Sequence, residues 1–242
     1  MHAATTSDPV ARAHAAHAAG RRAEDPTPDR AALAALPPAE LEAALDRRER
    51  RLALWINVYN AASRWLVADD PDRYERRYRL LFREQFAAPL VTVAGHDLSL
   101  DDVEHGILRG SMLGFGGGYL PRLRPDAFER RFRLETLDPR LHFALNCGAV
   151  SCPTVIAYDA ESIDDELDRA TRSYLESTVD YDPDADRATV PRHFLWYRGD
   201  FGGKAGIYEF LSEHGALPDA ARPRLSYLDY DWSFDPDPFG AK

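Results

Sequence analysis

Lysine is almost missing from this 242-residue chain: of 30 cationic side chains only Lys204 and Lys242 are lysines, and the rest are arginines. Nor is there any excess of positive charge, because 40 carboxylates set the formal net charge at −10 and the pI near 5.3. An acidic surface repels phosphate backbones, and no basic patch interleaved with aromatics stands out, so nucleic acid is not an expected partner. Long apolar runs are missing too. Charges interrupt every apolar stretch before it reaches the length of a membrane span. The opening "MHAATTSDPVARAHAAHAAGRRAEDP" holds no continuous apolar core of a secretory signal. The expectation is a cytoplasmic protein with no membrane partner. Cysteine is scarce, with two residues, so there is no disulfide framework to read. In a reducing cytosol two cysteines are more often thiols than a bridge. No internal repeat is found.

The chain does have 45% hydrophobic residues, enough for a sizeable core. Residues 1–26 read as a flexible or helical N-terminal tail and 27–242 as a single globular domain. His2, His14 and His17 sit among alanines in that tail, where a solvated, Ala-rich helix is expected ahead of a metal site. Leu41, Leu45, Leu52, Ile56, Tyr59 and Leu66 share a broad face, predicting one long helix or two consecutive ones that end near Asp70-Pro71. "PLVTVAGHDLSL" predicts a β-hairpin turning at Gly95-His96. Ser99 then caps a helix whose dipole Asp101 and Asp102 favour and which Gly110 stops. "GSMLGFGGGYLPRLRP" is a mobile Gly-rich loop without the lysine of a phosphate cradle. Further helices are predicted over 126–133, over 162–178 and over "KAGIYEFLSEHG", closed by Gly215. "RLHFALN" reads as a central strand and "RLSYLDYDWSF" as a final one; "HFLWYRGDFGG" reads as a compact aromatic turn. The fold class is α+β, mainly helical, around a small mixed β-sheet.

"RLHFALNCGAVSCPTV" gathers His142, Asn146, Cys147 and Cys152 into one short stretch. A thiol becomes a useful nucleophile when something lowers its pKa or takes its proton. His142 is the base nearest in sequence. On a continuous strand it and Cys147 would face opposite sides, so they meet only if the chain bends at Asn146–Gly148. Buried structural sulfur is the plain alternative. A zinc site is another, with Glu104 or His105 completing Cys147, Cys152 and His142, although Cys-x4-Cys is unlike a strong zinc spacing. Glu104 lies between Val103 and Ile107/Leu108 on a buried arc, where a carboxylate needs a partner. It points about 100° away from His105, and it either serves a site or pairs with an arginine such as Arg109. Asn57 and Asn60 fall on one helix face beside Trp55, Ile56 and Tyr59. Such amides orient a catalytic group or, the preferred reading, bracket this helix to its neighbours.

Three of these stretches, W-x-N-x-Y-N, S-L-D-x-x-E-x-x-x-L-R and H-F-A-x-N-C…C-P, stand in the order seen in the domain-of-unknown-function family numbered 547. With "HFLWYRGDFG" and "YLDYDWSF" the resemblance runs over roughly residues 40–235. It implies that Asn57, Asn60, Glu104, Arg109, His142, Asn146, Cys147 and Cys152 occupy motif positions. It brings no assigned activity, so the chemistry has to come from the residues.

Three functions are open. The first is a thiol-dependent hydrolase or acyltransferase acting on an amide, ester or thioester of a small-molecule or peptide substrate. In it Cys147 is the nucleophile with Cys152 as the substitute, His142 the general base, and Glu104 or Asn60 the orienter. The Gly148-Ala149 N–H groups would hold an oxyanion. This strategy needs no cofactor. The second is a binding or scaffold module with a buried polar bracket, and the third is a zinc-binding protein.

Overall fold

The computed structural model describes residues 8–21, 24–69 and 84–233. Helices dominate, with a two-stranded and a three-stranded sheet beside them, so the chain is α+β and mainly helical. It opens with α1 (Pro9–Arg21), α2 (Thr27–Ala34), α3 (Pro38–Ala44) and α4 (Arg48–Asp69). The apolar stripe after Pro37-Pro38 thus forms two helices, broken at Leu45–Arg47; Asp70 and Pro71 lie outside the described residues. Residues 52–63 of α4 are all buried, which makes α4 the central helix, covered on every side.

The N-terminal stretch differs from the expected solvated helix. Val10, Ala13 and Ala16 belong to the same apolar cluster as α4, and His17 is completely buried. Small alanines let α1 approach α4 closely, and the His17 Nδ1 lies 3.2 Å from Asn57 Oδ1. His2 lies outside the described residues.

After the short α5 (Glu84–Ala87), β1 (Val91–Val93) and β2 (His96–Leu98) form the predicted antiparallel hairpin. Its turn is Ala94-Gly95, both at positive φ, rather than Gly95-His96, and His96 pairs with Val93. Ser99 caps as expected: its Oγ accepts from the Asp102 N–H at 3.1 Å and donates to Asp102 Oδ2 at 2.6 Å. The helix so started is a π-helix (Asp102–Leu108), and Gly110 ends it at φ +62°. Then come α6 (Ala127–Phe132), α7 (Ile163–Thr178), β3 (Asp180–Asp182), β4 (Arg187–Val190), α8 (His193–Trp196), α9 (Gly203–Glu213) and β5 (Arg224–Tyr227). β4 pairs antiparallel with β3 and parallel with β5, giving a small mixed sheet.

"RLHFALN" is not a strand. Pro139–Phe143 is a 3₁₀ helix. Asp138 caps it by accepting from the Arg140 N–H at 3.0 Å, and Pro139 fixes its first φ. This segment divides two apolar clusters. Leu141 and Ala144 join the one around α4, whereas Phe143 joins the one around α9. Buried on both sides, the segment is rigid where His142 and the cysteine loop leave it. The expected final strand stops at Tyr227. Beyond it the chain returns to the cysteine loop, with the Val150 and Ser151 N–H groups donating to Ser233 and Asp231 carbonyls. Among the described residues no helix is long and apolar enough to cross a membrane.

Candidate functional site

Distant parts of the chain meet in one cleft of about 510 Å³. The π-helix brings Glu104, the 3₁₀ helix and its exit bring His142, Cys147 and Cys152, α8 and the turn after it bring His193 and Tyr197, and the C-terminal stretch brings Tyr230 and Trp232. Its size suits a small molecule or a peptide side chain. Exposed Phe115 and Leu195 also line it, so its wall is partly apolar.

The imidazole of His142 is held from behind. Its Nε2 lies 2.8 Å from Asp200 Oδ2. Arg109 grips the same carboxylate twice, Nε to Oδ2 at 2.6 Å and Nη2 to Oδ1 at 3.0 Å. Arg109 is a buried cation; it also donates to the Leu113 carbonyl and lies 3.0 Å from His105 Nδ1. Tyr197 stacks on His142 at 4.2 Å and 11°, and Arg109 sits 4.6 Å from the centre of its ring. Burial is the largest influence on His142 and draws its pKa below the ordinary value, against the hydrogen bond and charge of Asp200. Burial works the other way on Asp200, but hydrogen bonds from His142 and Arg109 prevail and hold its carboxyl below the usual range. The site therefore contains a neutral imidazole against an ionised carboxylate, with Nδ1 as the ring nitrogen left for chemistry.

The two sulfurs lie 3.2 Å apart as free thiols. Donors converge on Cys152 Sγ: the Cys147 N–H and the Tyr230 hydroxyl each lie 3.2 Å away. Burial pushes the Cys152 thiol up, but hydrogen bonds from the Cys147 thiol, from Tyr230 and from the backbone bring it down to about 7. Cys147 moves well upward, first because it donates to Cys152 and then through burial. Among the described residues no hydrogen bond joins His142 to either sulfur. They share the cleft wall.

The remaining expected site residues are placed differently. Among the described residues Asn60 makes no hydrogen bond to His142: its Nδ2 donates to the Ala144 carbonyl at 2.9 Å and its Oδ1 accepts the Asn146 N–H at 3.0 Å. Asn57 does the same for Tyr158, accepting its N–H at 2.9 Å and donating to its carbonyl at 2.7 Å. Both are brackets, which explains two amides on the central helix. Glu104 faces the cleft and accepts from Tyr197 at 3.0 Å and Tyr59 at 3.3 Å, with His105 Nδ1 3.5 Å away; among the described residues no hydrogen bond joins it to His142 and no ion pair joins it to Arg109. The Gly148 N–H, expected to hold an oxyanion, is donated to Asn146 Oδ1 at 2.7 Å. Among the described residues no group of three or more His, Cys, Asp or Glu side chains is arranged to hold a metal ion, so the zinc reading gains no ligand set.

Sequence reasoning missed Asp200, His193 and Tyr230. "RGDFGG" reads as part of an aromatic turn and "DYDWSF" as part of a final strand, which assigns neither any chemistry; the signal available is an Asp-Phe pair confined between glycines. His193 is a buried imidazole in the cleft wall whose Nδ1 has no hydrogen-bond partner among the described residues. Burial, and then the neighbouring His142, lower its pKa to about 3.

No curated protein and no solved structure matches the chain. A family model described as "Protein of unknown function, DUF547" matches residues 43–175, which takes in the Asn brackets, Glu104, Arg109, His142 and both cysteines but not His193, Asp200 or Tyr230. With more than half of its length so matched, the chain belongs to the DUF547 family.

Proposed function

We propose that the chain is a thiol-dependent hydrolase or acyltransferase acting on esters, thioesters or amides, with Cys152 as nucleophile. The observation that carries this reading is the convergence of the Cys147 N–H and the Tyr230 hydroxyl on Cys152 Sγ, in the cleft that His142 also lines. These donors stabilise a thiolate near neutral pH without making it a proton donor. Cys147 is the helper, because its own thiol is held protonated. In the first half-reaction the sulfur–carbon bond forms, the bond to the leaving oxygen, sulfur or nitrogen breaks, and the departing group takes a proton from water. In the second, His142 takes a proton from water or an acceptor as that nucleophile attacks the thioester; the sulfur–carbon bond breaks, Cys152 leaves as the thiolate, and His142 returns its proton to solvent. Asp200 and Arg109 are positioning residues that fix the imidazole.

Iodoacetamide labelling of the folded chain tests the nucleophile. Labelling at Cys152 should rise with a midpoint near pH 7, and Cys152→Ala should lose both that label and the turnover of p-nitrophenyl esters. Thiols that react only after denaturation would sink the reading. That outcome would favour a binding or scaffold module, which the Asn57 and Asn60 brackets independently support.

A further inference from the structure

Cys152 and Tyr230 belong to two clefts at once. Besides the first, a second of about 590 Å³ lies against α7, with Ser151, Tyr158, Arg169 and Arg192 in its wall. Cys147 lines the first cleft and is not part of the second. The second cleft also has a mark of its own. Tyr158 is completely buried and lines it, and among the described residues its hydroxyl has no hydrogen-bond partner. An orphaned buried hydroxyl is costly, so this wall keeps polar capacity that the described fold leaves unsatisfied.

We propose that Cys147 and Cys152 form a dithiol that reduces disulfides of small, carboxylate-bearing peptide thiols docked in this second cleft. Thiol–disulfide exchange needs an attacking thiolate, a second thiol within reach, and an in-line arrangement of three sulfurs. The Cys152 thiolate attacks one sulfur of the substrate disulfide. A bond forms between them, the substrate's S–S bond breaks, and the first thiolate leaves and takes a proton from water. Cys147 then loses its proton to water and attacks Cys152 Sγ, 3.2 Å away. The Cys147–Cys152 bond forms and the second substrate thiolate leaves. The chain is oxidised by two electrons, the substrate is reduced by two, and an external dithiol resets the pair. The layout suits that demand, because Cys147 lines the first cleft alone while Cys152 also lines the second, where the departing thiol would sit.

The wall of the second cleft names the substrate class. Exposed Arg169 and half-exposed Arg192 offer guanidinium groups to carboxylates, Arg192 sharing its charge with Asp229 at 3.1 Å. Glu166, which already accepts from the Asp159 N–H at 2.9 Å and the Ser162 hydroxyl at 3.0 Å, keeps a negative charge for an ammonium, and Ser173 offers a hydroxyl to amides. That is the pattern of a short zwitterionic peptide, for which glutathione disulfide is the probe.

This inference shares Cys152 with the acyl reading but does not need it, and its readout is mass rather than turnover. The reduced full-length chain is mixed with glutathione disulfide, with circular dichroism to check each variant's fold. The wild type should lose both thiols and retain no adduct. Cys147→Ser should keep one glutathionyl group on Cys152, and Cys152→Ser should take none. Arg169→Glu, on an exposed helix face, should slow the reaction with glutathione disulfide about tenfold and not slow the dicationic disulfide cystamine. An adduct on Cys147, adducts on both cysteines, an inert native chain, or an Arg169→Glu variant with unchanged rates would each overturn the proposal. A chain that exchanges disulfides but hydrolyses no ester would leave it standing while the acyl reading falls, and the reverse result would do the opposite.

Discussion

His142 Nε2 lies 2.8 Å from Asp200 Oδ2, and each side chain is 1% exposed. A buried carboxylate beside a neutral imidazole fixes the tautomer: the proton sits on Nε2 and Nδ1 is left basic. Asp200→Asn keeps the shape but can present an N–H to Nε2, which moves the proton to Nδ1. Esterase kcat should then fall about 10²- to 10⁴-fold with little change in KM. Asp200→Ala should in addition destabilise the chain by about 3–5 kcal/mol, because it strands Arg109 as a buried cation without its carboxylate. Steady-state kinetics and urea unfolding of the two variants separate the two effects.

His193 should make the fold acid-sensitive. Its folded pKa of about 3 is below that of an unfolded histidine, so the unfolded chain binds the proton first. Stability contributed by the neutral ring is complete above about pH 6.5 and is lost as pH falls from there toward the folded value. The loss is on the order of 4 kcal/mol by the bottom of that window. The ring makes edge contacts with Phe143, Tyr174, Trp196 and Tyr230, which a phenyl group can keep. His193→Phe should therefore hold its urea midpoint better than wild type between pH 6 and pH 4. His142 is shifted in the same direction and leaves a residual slope. Asp200 acts lower, its contribution being lost only as pH falls through its depressed value. Equal slopes for wild type and variant would contradict this account.

Asn60 satisfies a carbonyl and an N–H on two sides of a loop that no regular ladder serves. Asn60→Ala leaves the Ala144 carbonyl and the Asn146 N–H buried without that partner, and should cost about 2–4 kcal/mol by urea unfolding. Asn60→Asp keeps the acceptor but loses the donor, and should be no better at neutral pH. The cysteine loop hangs from this bracket, so thiol labelling in Asn60→Ala should lose its selectivity for Cys152.

Local signals made much of the fold legible. The Ser99–Asp102 cap, the α4 stripe and the hairpin are each set by a few neighbouring residues, and they stand as expected except that the hairpin turns one residue earlier, at Ala94-Gly95. The 3₁₀ helix carries a local signal as well, in Asp138-Pro139, but the mostly apolar run "LHFAL" is equally the signature of a buried strand. His17 was beyond reach, since nothing in an alanine-rich stretch says that the central helix will bury it. The same holds for the site. His142 and the cysteines were visible because they are close in sequence, whereas Asp200 arrives from 58 residues further on and Tyr230 from 78 residues beyond Cys152. A carboxylate's role depends on which buried cation it meets, and that meeting is tertiary.

Asp200 is also pinned by backbone. The Gly199 N–H donates to the Gly117 carbonyl at 2.7 Å, laying the Gly-rich loop against the turn that carries Asp200. A Cβ on Gly118 would stand 2.5 Å from Asp200 Oδ1 and 2.8 Å from its backbone nitrogen, at a φ of +80°. Neither neighbour has room to yield, because the carboxylate is already held by Arg109 and His142. A Cβ on Gly117 meets nothing nearer than the Tyr119 ring at 3.5 Å, so there only the positive φ is strained, at about 1 kcal/mol. Gly118→Ala should therefore lose esterase activity at least about tenfold and shift the labelling profile, because displacing Asp200 frees the His142 ring. Gly117→Ala should lower the Tm modestly with a much smaller kinetic effect. Equal losses from the two substitutions would mean that the loop matters only for stability, and that Asp200 is held by its ion pair alone.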